Sequence, residues 1–101
     1  MKLSSKKIRF LRGLGHHLTP VAMVGQAGVT EKVILSIKAD LKAHELIKVK
    51  IQSSAPADRH DIADALSKAT GAAIVQVLGK TILLYLENKK RRPDQKIILP
   101  D

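Results

Sequence analysis

The last third of the chain contains two apolar segments separated by only two residues, and this spacing leaves few ways to arrange them. Ala73-Ile-Val-Gln-Val-Leu78 and Thr81-Ile-Leu-Leu-Tyr-Leu86 flank the dipeptide Gly79-Lys80. Glycine at the first of two turn positions favours a type II′ turn, whose twist matches that of paired strands. The sequence therefore predicts an antiparallel hairpin over residues 73–86, around which the remaining segments must be arranged.

A strand–helix–strand unit precedes this hairpin. Pro20–Val24 is a short apolar run that predicts a strand with both faces partly covered, and Leu46–Ile51 alternates as a strand with one wet face does. Thr30 is a good N-cap for the helix between them. The helix has one apolar stripe, formed by Val33, Ile34, Ile37 and Leu41. A right-handed crossover makes the two strands parallel.

Two more helices complete the pattern. The first, from about Ser5 to Leu14, carries aliphatic side chains at helical spacing. The second, Asp58 to Thr70, has the same spacing, and it is capped by Asp58 and ended by Gly71. The order is helix, strand, helix, strand, helix, strand, strand. We expect a single compact α/β domain with a mixed four-stranded sheet packed with helices, and the pattern allows all of the helices to lie on one face.

The chain divides by composition near residue 86. Residues 1–86 contain the predicted elements and form the expected domain, while residues 87–101 begin with a basic stretch that includes Lys89, Lys90, Arg91 and Arg92. This stretch is expected to be mobile. The apolar segment Ile97–Leu99 that follows can dock as an additional edge strand.

The charge balance indicates the class of partner. Eighteen Lys and Arg residues against nine Asp and Glu residues give a net charge of +9 and a pI of about 10.1, which attracts polyanions. Nucleic acid is the leading candidate, and a merely solvated basic surface is the alternative. Phe10 and Tyr85 are the only aromatic residues, so base stacking on many aromatic rings is unsupported, and recognition of the RNA backbone and shape fits better.

Several other function classes lack the residues they need. There is no cysteine for a disulfide or a thiolate site, and the N-terminus has no apolar stretch of a signal peptide. No segment approaches a membrane span. His60 and Asp64 lie four residues apart without a third metal ligand. We expect a non-enzymatic cytoplasmic protein without metal, cofactor or small-molecule substrate.

A glycine-flanked loop is the first candidate binding element. Gly25, Gln26, Ala27 and Gly28 lie between a predicted strand and a capped helix, and Lys32 falls in the first turn of that helix. Glycine lets a phosphate approach the backbone, and a helix N-terminus favours an anion. The loop lacks the Gly-Lys-Ser/Thr of a Walker motif and the third glycine of a dinucleotide fingerprint. An ordinary strand-to-helix turn is the alternative.

Basic side chains on other elements are the second set of candidates. Those of the first helix are Lys6, Lys7, Arg9 and Arg12, while Lys48 and Lys50 share one face of a strand and Lys80 lies in the hairpin turn. Each of them could contact a phosphate. A solvated charged surface is the alternative for all of them, and for the three lysines outside the helix it has equal weight.

Three segments, in order, resemble the bacterial YhbY family of stand-alone CRM domains (chloroplast RNA splicing and ribosome maturation). They are Gly25–Thr30 followed by Val33, then His44–Val49, then Val75–Thr81 followed by Leu84-Tyr85, and the resemblance covers roughly residues 3 to 86. It implies a fold similar to the C-terminal domain of translation initiation factor three. It also implies RNA binding through the GXXG loop at residues 25–28 and a basic surface on the first helix and nearby lysines.

The resemblance further implies association with precursors of the large ribosomal subunit, and plant relatives carry the domain in group II intron splicing factors. Two residues depart from the family pattern. Ala27 replaces a frequent Asn, and Leu86 replaces a frequent Arg, which would shift phosphate contacts to the basic stretch after residue 87. A different class of function stays open, namely a protein-interaction adaptor whose basic surface meets an acidic protein and whose RNA contact is incidental.

Overall fold

The computed structural model describes residues 3–100, which form three helices and four strands in the predicted order. The elements are α1 (Ser5–Gly15), β1 (Ala22–Val24), α2 (Glu31–His44), β2 (Leu46–Ile51), α3 (Arg59–Thr70), β3 (Ala73–Leu78) and β4 (Thr81–Tyr85). The α/β class and the single compact domain are confirmed.

The four strands form one mixed sheet in the order β1-β2-β4-β3. β1 is parallel to β2, whereas β2 with β4 and β4 with β3 are antiparallel. At the hairpin Leu78 pairs with Thr81, and Gly79 has a φ of +57° while Lys80 does not have a positive φ. A positive φ at the first position alone is the type II′ pattern that the sequence predicted.

Local signals begin and end the helices where the sequence indicated. The Thr30 hydroxyl accepts from the Val33 N–H at 3.2 Å, and an Asp58 carboxylate oxygen accepts from the His60 N–H at 3.0 Å. Such caps satisfy N–H groups that lack a helical partner. α3 ends at Gly71, which has a left-handed φ of +81° and closes the helix as glycine commonly does.

α2 and α3 cover one face of the sheet completely. Ile47, Val49 and Ile51 of β2 point to this face and pack with residues of both helices. The remaining buried core residues on this side are Val24, Ile37, Leu41, Ile62, Ala63, Leu66, Ala72, Ile82 and Leu84. This is the main hydrophobic core, and it is entirely aliphatic.

The prediction that all helices could lie on one face was wrong, because α1 packs on the other face. Its Leu11 is buried against Leu46, Leu83 and Tyr85. A Cβ built on Gly15 would lie 2.4 Å from Leu83 Cδ2, so the absence of a side chain lets α1 approach the sheet. The apolar run of β4 supplies residues to both faces, as strands covered on both sides do. The domain therefore has three layers.

A β-bulge changes which β3 residues face each layer. The pairing with β4 shifts between Ile74 and Gln76, so Val75 is the extra residue. Val75 packs in the α1 cluster, while Ile74 and Val77 pack against the core under α2 and α3. Strict alternation along β3 would place those two residues on opposite faces, so the bulge allows both to contribute to the main core.

The C-terminal segment, from residue 87 onward, is attached to the domain through Glu45 and does not add a strand to the sheet. Fully buried Glu45 accepts from the N–H groups of Asn88 and Ile97 at 2.8 and 2.9 Å. Arg91 lies 3.7 Å from the same carboxylate. Ile97 and Leu99 pack against the α1 cluster outside the sheet. The basic stretch is therefore anchored at its start and after its end, in contrast to the expected mobile tail with an edge strand.

Candidate nucleic-acid interface

Charge is strongly polarised between the two sides of the sheet. α1 carries four basic residues and no acidic residue, and the four strands add only Lys48 and Lys50. α2 and α3 together carry five Lys and Arg residues against four Asp and Glu residues. Since the lysines of β2 point to the α1 side, the excess positive charge of the helices and strands concentrates there. A polyanion would therefore be attracted to the α1 face.

The glycine-flanked loop is a tight turn that follows β1. The Gly28 N–H donates to the Gly25 carbonyl at 2.9 Å, and Gln26 and Ala27 are exposed at its tip without positive φ values. Two residues later, Thr30 caps α2. The loop therefore presents two backbone units beside a helix N-terminus, an arrangement that can receive an anion.

The two glycines of this turn have structural roles of their own. Gly28 has a φ of +75° and is buried, and a Cβ on it would lie 3.2 Å from Pro56 Cγ. A Cβ on Gly25 would lie 2.6 Å from the Gln52 side-chain oxygen. Bulky replacements at these positions would therefore disturb the fold as well as any ligand. The exposed positions 26 and 27 are the ones that can test RNA contact.

Three loops meet at this end of the sheet. β1 and β2 are parallel, so the residues that follow them lie at the same edge as the turn between β3 and β4. There, the Lys80 ammonium donates to the Ser53 hydroxyl, and Arg59 donates from Nη1 to the Gly79 carbonyl at 3.1 Å. The N-termini of α2 and α3 also face this end, since each helix follows one of these strands.

The two lysines predicted on β2 differ in exposure and in distance from the loop. Lys50 is exposed and pairs with Met23 of β1, two residues before the glycine loop. Lys48 is half-buried and pairs with Leu83, nearer to α1. Lys32 lies in the first turn of α2 beside Met23 in a shallow cleft. Lys50 and Lys32 are thus brought near the loop, whereas Lys48 lies further along the strand.

The basic residues of α1 occupy its open surface, except for one. Lys6 and Arg9 are exposed, and Lys7 is half-buried. Arg12 reaches back to the sheet, where the Gln76 amide oxygen, in the orientation that satisfies both side chains, accepts from Arg12 Nε and Nη2 at 3.1 and 3.2 Å. This contact orients the guanidinium and leaves fewer of its five donors for a phosphate.

Other residues at this surface escaped the sequence reasoning. Arg59 was treated only as part of a helix start, yet it lies against the hairpin turn. Met23 and Leu78 were treated only as members of apolar strands, but their side chains are 48% and 63% exposed. The expectation of a β1 with both faces partly covered agrees with the structure, because Val24 is buried on one face and Met23 is only half-exposed on the other. The pairing register of the sheet would have revealed these positions, and the pattern along one strand does not contain it.

The basic segment after residue 87 contributes less than its composition suggests. Arg91 pairs with buried Glu45, and Arg92 lies 3.6 Å from Asp94. Lys96 donates to Glu87 at 2.9 Å, a hydrogen bond that lowers the pKa of the Glu87 carboxyl below its usual value. Lys89 and Lys90 are exposed, and Arg92 is exposed as well because its pair with Asp94 lies in solvent, so these three cations are the ones of this segment open to a phosphate.

Other kinds of site find no support in the described part of the chain. Within residues 3–100, no three histidine or acidic side chains come together in a group that could hold a metal ion. None of the helices there has the length and apolar character that a membrane crossing requires.

Known proteins resemble this chain over most of its length. Residues 3–85 match the model of the CRS1 / YhbY (CRM) domain. The chain is 43% identical over 90 residues to "Probable RNA-binding protein YqeI" of Bacillus subtilis, covering 89% of this chain and 94% of that protein. It is 42% identical over 98 residues to an "RNA-binding protein" of Haemophilus influenzae, covering 97% and 95%.

A solved structure shares the whole fold. The solution structure of the hypothetical protein SAV1595 from Staphylococcus aureus superimposes with a TM-score of 0.81 and is 36% identical. The match covers 98% of this chain and 100% of that one. The three-layer architecture therefore recurs in a protein with a closely related sequence.

Proposed function

This chain belongs to the CRS1 / YhbY (CRM) domain family, and on that premise we propose that it is an RNA-binding protein. Its ligand is ribosomal RNA in precursors of the large ribosomal subunit, bound through the phosphate backbone. The polarised charge carries the proposal. All six Lys and Arg residues of α1 and the strands lie in elements without a single acidic residue, as a backbone-binding surface requires.

The contacts follow from the position of each group. Loop 25–28 and the N-terminus of α2 receive one phosphate, and Lys32 and Lys50 neutralise its neighbours. The contact is extended along the strand of RNA by Lys80, in the turn between β3 and β4, and by the basic residues of α1. Protein groups that replace condensed counterions make the affinity fall as salt rises.

Salt dependence is the direct test of this mode of binding. Lys7 is half-buried and Arg12 contacts Gln76, so the exposed cations that remain among the proposed contacts are Lys6, Arg9, Lys32, Lys50 and Lys80. About four to five phosphate contacts predict a slope near −3 in a plot of log affinity against log salt concentration, using the coefficient for single strands. The measurement uses the full chain and transcribed fragments of large-subunit ribosomal RNA. An affinity that does not change with salt would contradict backbone binding.

A matched pair of variants tests the loop without disturbing its glycines. Ala27→Glu places a carboxylate at the exposed tip, and Ala39→Glu makes the same change in net charge at an exposed position of α2. We expect Ala27→Glu to weaken RNA binding about tenfold, since it opposes a phosphate directly, while Ala39→Glu changes it little. Equal affinities for the two variants would remove the loop from the interface.

Crosslinking in cells separates the proposal from the adaptor alternative. Sequencing of RNA crosslinked to the chain identifies the bound segment, and large-subunit ribosomal RNA should dominate. If protein partners survive complete digestion of RNA and ribosomal RNA is not enriched, the basic surface serves an acidic protein instead.

A further inference from the structure

α1 covers only about half of its face of the sheet. The uncovered half exposes apolar side chains as well as the basic ones that would bind phosphates. The pairing register aligns Met23 with Lys50, Lys50 with Thr81, and Thr81 with Leu78. Paired residues point to the same side of a sheet, so these four form one row across all four strands. We refer to Met23, Lys50, Thr81 and Leu78 as the upper row. It lies next to loop 25–28 and the turn at Gly79-Lys80.

The upper row exposes aliphatic surface at both of its ends. Leu78 is 63% exposed on the edge strand β3, and Met23 is 48% exposed on the edge strand β1. α1 covers the sheet further down, where Gly15 meets Leu83 and Leu11 meets Tyr85. A thioether and an isobutyl group cannot bind a phosphate, so these side chains would contact another part of the ligand.

We infer that the upper row receives unstacked nucleobases of a single-stranded RNA segment. The inference rests on the proposed function and deepens it, because it assigns the bases a place while loop 25–28 and the neighbouring lysines hold the phosphates. The chain has two aromatic residues, and the Tyr85 side chain is buried at the other end of β4. Phe10, which is 39% exposed, lies on α1 outside the row. Within the row the bases are met by Met23 and Leu78 in place of aromatic rings.

The dimensions of the row suit this ligand. Neighbouring strands lie about 4.8 Å apart, so a row across four strands spans roughly 14 Å. Other four-stranded sheets display two or three bases on such a surface. Beside Met23 and Lys50 a cavity of about 380 Å³ extends to Pro20 and Val21, which is large enough for a planar base. The polarisable sulfur of methionine makes favourable contacts with aromatic rings.

The charges around the row favour RNA over a protein partner. Lys50 is in the row, Lys48 lies two residues before it, and Lys80 lies at its upper edge. The strands contain no acidic residue. Lysine is depleted from the cores of protein interfaces, whereas cations interleaved with apolar groups match a ligand that alternates phosphates with bases.

Abasic RNA separates base contact from phosphate contact. The probes are a short single-stranded oligoribonucleotide and an abasic strand with the same number of phosphates, each titrated against the full chain. The variants are Met23→Ser with Leu78→Ser, and as the matched control Leu35→Ser, which removes an exposed leucine from α2. Thermal unfolding checks that each variant is folded.

We expect the unsubstituted chain to bind the strand with bases about tenfold or more tightly than the abasic strand. The double variant should lose this difference and keep its affinity for the abasic strand and its salt slope. The Leu35→Ser control should behave as the unsubstituted chain. A 2-aminopurine base in the strand should change its fluorescence on binding to the chain but not to the double variant.

The outcomes distinguish the inference from the proposed function. If both strands bind equally well with a normal salt slope, or if the double variant binds the strand with bases normally, the inference is wrong and backbone binding stands. An upper row that serves a protein partner would give the second of these results. If neither strand nor ribosomal RNA binds at low salt, both are overturned.

Discussion

The same four strands present two different faces. On one face, α2 and α3 bury a continuous aliphatic core in which Ile47, Val49 and Ile82 have almost no exposed surface. On the other face, α1 covers the lower half of the sheet and leaves the upper row open. The helices of the closed face carry nearly balanced charges, whereas α1 and the strands carry only positive ones.

This difference shows that, in a chain of 101 residues, one face of the sheet can stabilise the fold while the other is available for binding. Stability comes mainly from the closed face, because burial of aliphatic surface is the dominant favourable contribution to folding. The open face can then keep unpaired cations and exposed apolar groups for a ligand. Substitutions in the closed face should consequently act mainly on stability, and substitutions of exposed residues on the open face should act mainly on binding.

The largest expected effect is on the closed face. Leu66 of α3 is fully buried, and Leu66→Ala should lower the free energy of unfolding by about 3 kcal/mol through lost burial and a cavity. Chemical denaturation measures this loss. RNA affinity corrected for the folded fraction should not change, and a specific loss of affinity in the folded protein would break the separation between the two faces.

Two glycines of α1 test how the helix docks on the open face. Gly15→Val would force a side chain against Leu83, where a Cβ alone comes within 2.4 Å, and should cost about 2 kcal/mol. Gly13 has no atom within 4 Å of such a Cβ. Gly13→Ala should therefore stabilise the protein by about 0.5–1 kcal/mol, because alanine is the better helix former.

Melting temperatures of both glycine variants give the comparison. Gly15→Val should also weaken RNA binding, since displacement of α1 shifts the basic residues of this helix relative to the sheet and the loops. If Gly15→Val is as stable as the unsubstituted chain, the close approach of α1 to the sheet is not needed for folding.

Reversal of one charge on each side sharpens the electrostatic comparison. Lys50→Glu on the open face should weaken RNA binding about tenfold and reduce the magnitude of the salt slope by about one. Lys68→Glu on α3 makes the same change in net charge on the closed side and should have a much smaller effect. Similar losses for both would mean that the net charge alone attracts RNA.

The smallest effect concerns the pH dependence of stability. Burial, and then the negative charges of Glu45 and Glu87, raise the pKa of Tyr85 above its usual value of 10.0. The neutral phenol is therefore favoured in the folded state. The resulting stability is fully present below the unfolded pKa and is lost as the pH rises through the folded pKa.

Urea denaturation from about pH 9 to about pH 11 measures this dependence. Tyr85→Phe should reduce the loss of stability over this range, because phenylalanine does not ionise. Equal slopes for the two proteins would show that Tyr85 ionises as easily in the folded state as in the unfolded one.

Glu45 shows why part of the structure could not be predicted. It has a positive φ of 63° and is fully buried. Neither property can be predicted from the position of a glutamate between a helix and a strand. Its carboxylate is satisfied by groups that lie 43 and 52 residues further along the chain. Contacts over such separations depend on the finished fold, so the sequence suggested docking of Ile97–Leu99 as an edge strand and did not reveal its attachment through Glu45.

The sequence by itself determined the elements, their order and their ends. Spacing of apolar residues, the caps at Thr30 and Asp58, and glycines at positions 71 and 79 act within a few residues, so they can be read without a fold. The loop at 25–28 and the basic composition of the first helix were visible for the same reason. The family match of residues 3–85 agrees with this local reading.

Only the tertiary structure decided which face each element occupies and which residues meet. α1 could pack on either side of the sheet until Leu11, Leu83 and Tyr85 formed a second apolar cluster. The upper row arises from the register among four strands, and the bulge at Val75 changes what faces each layer. Register is a relation between distant segments, and the pattern of one segment constrains it only weakly.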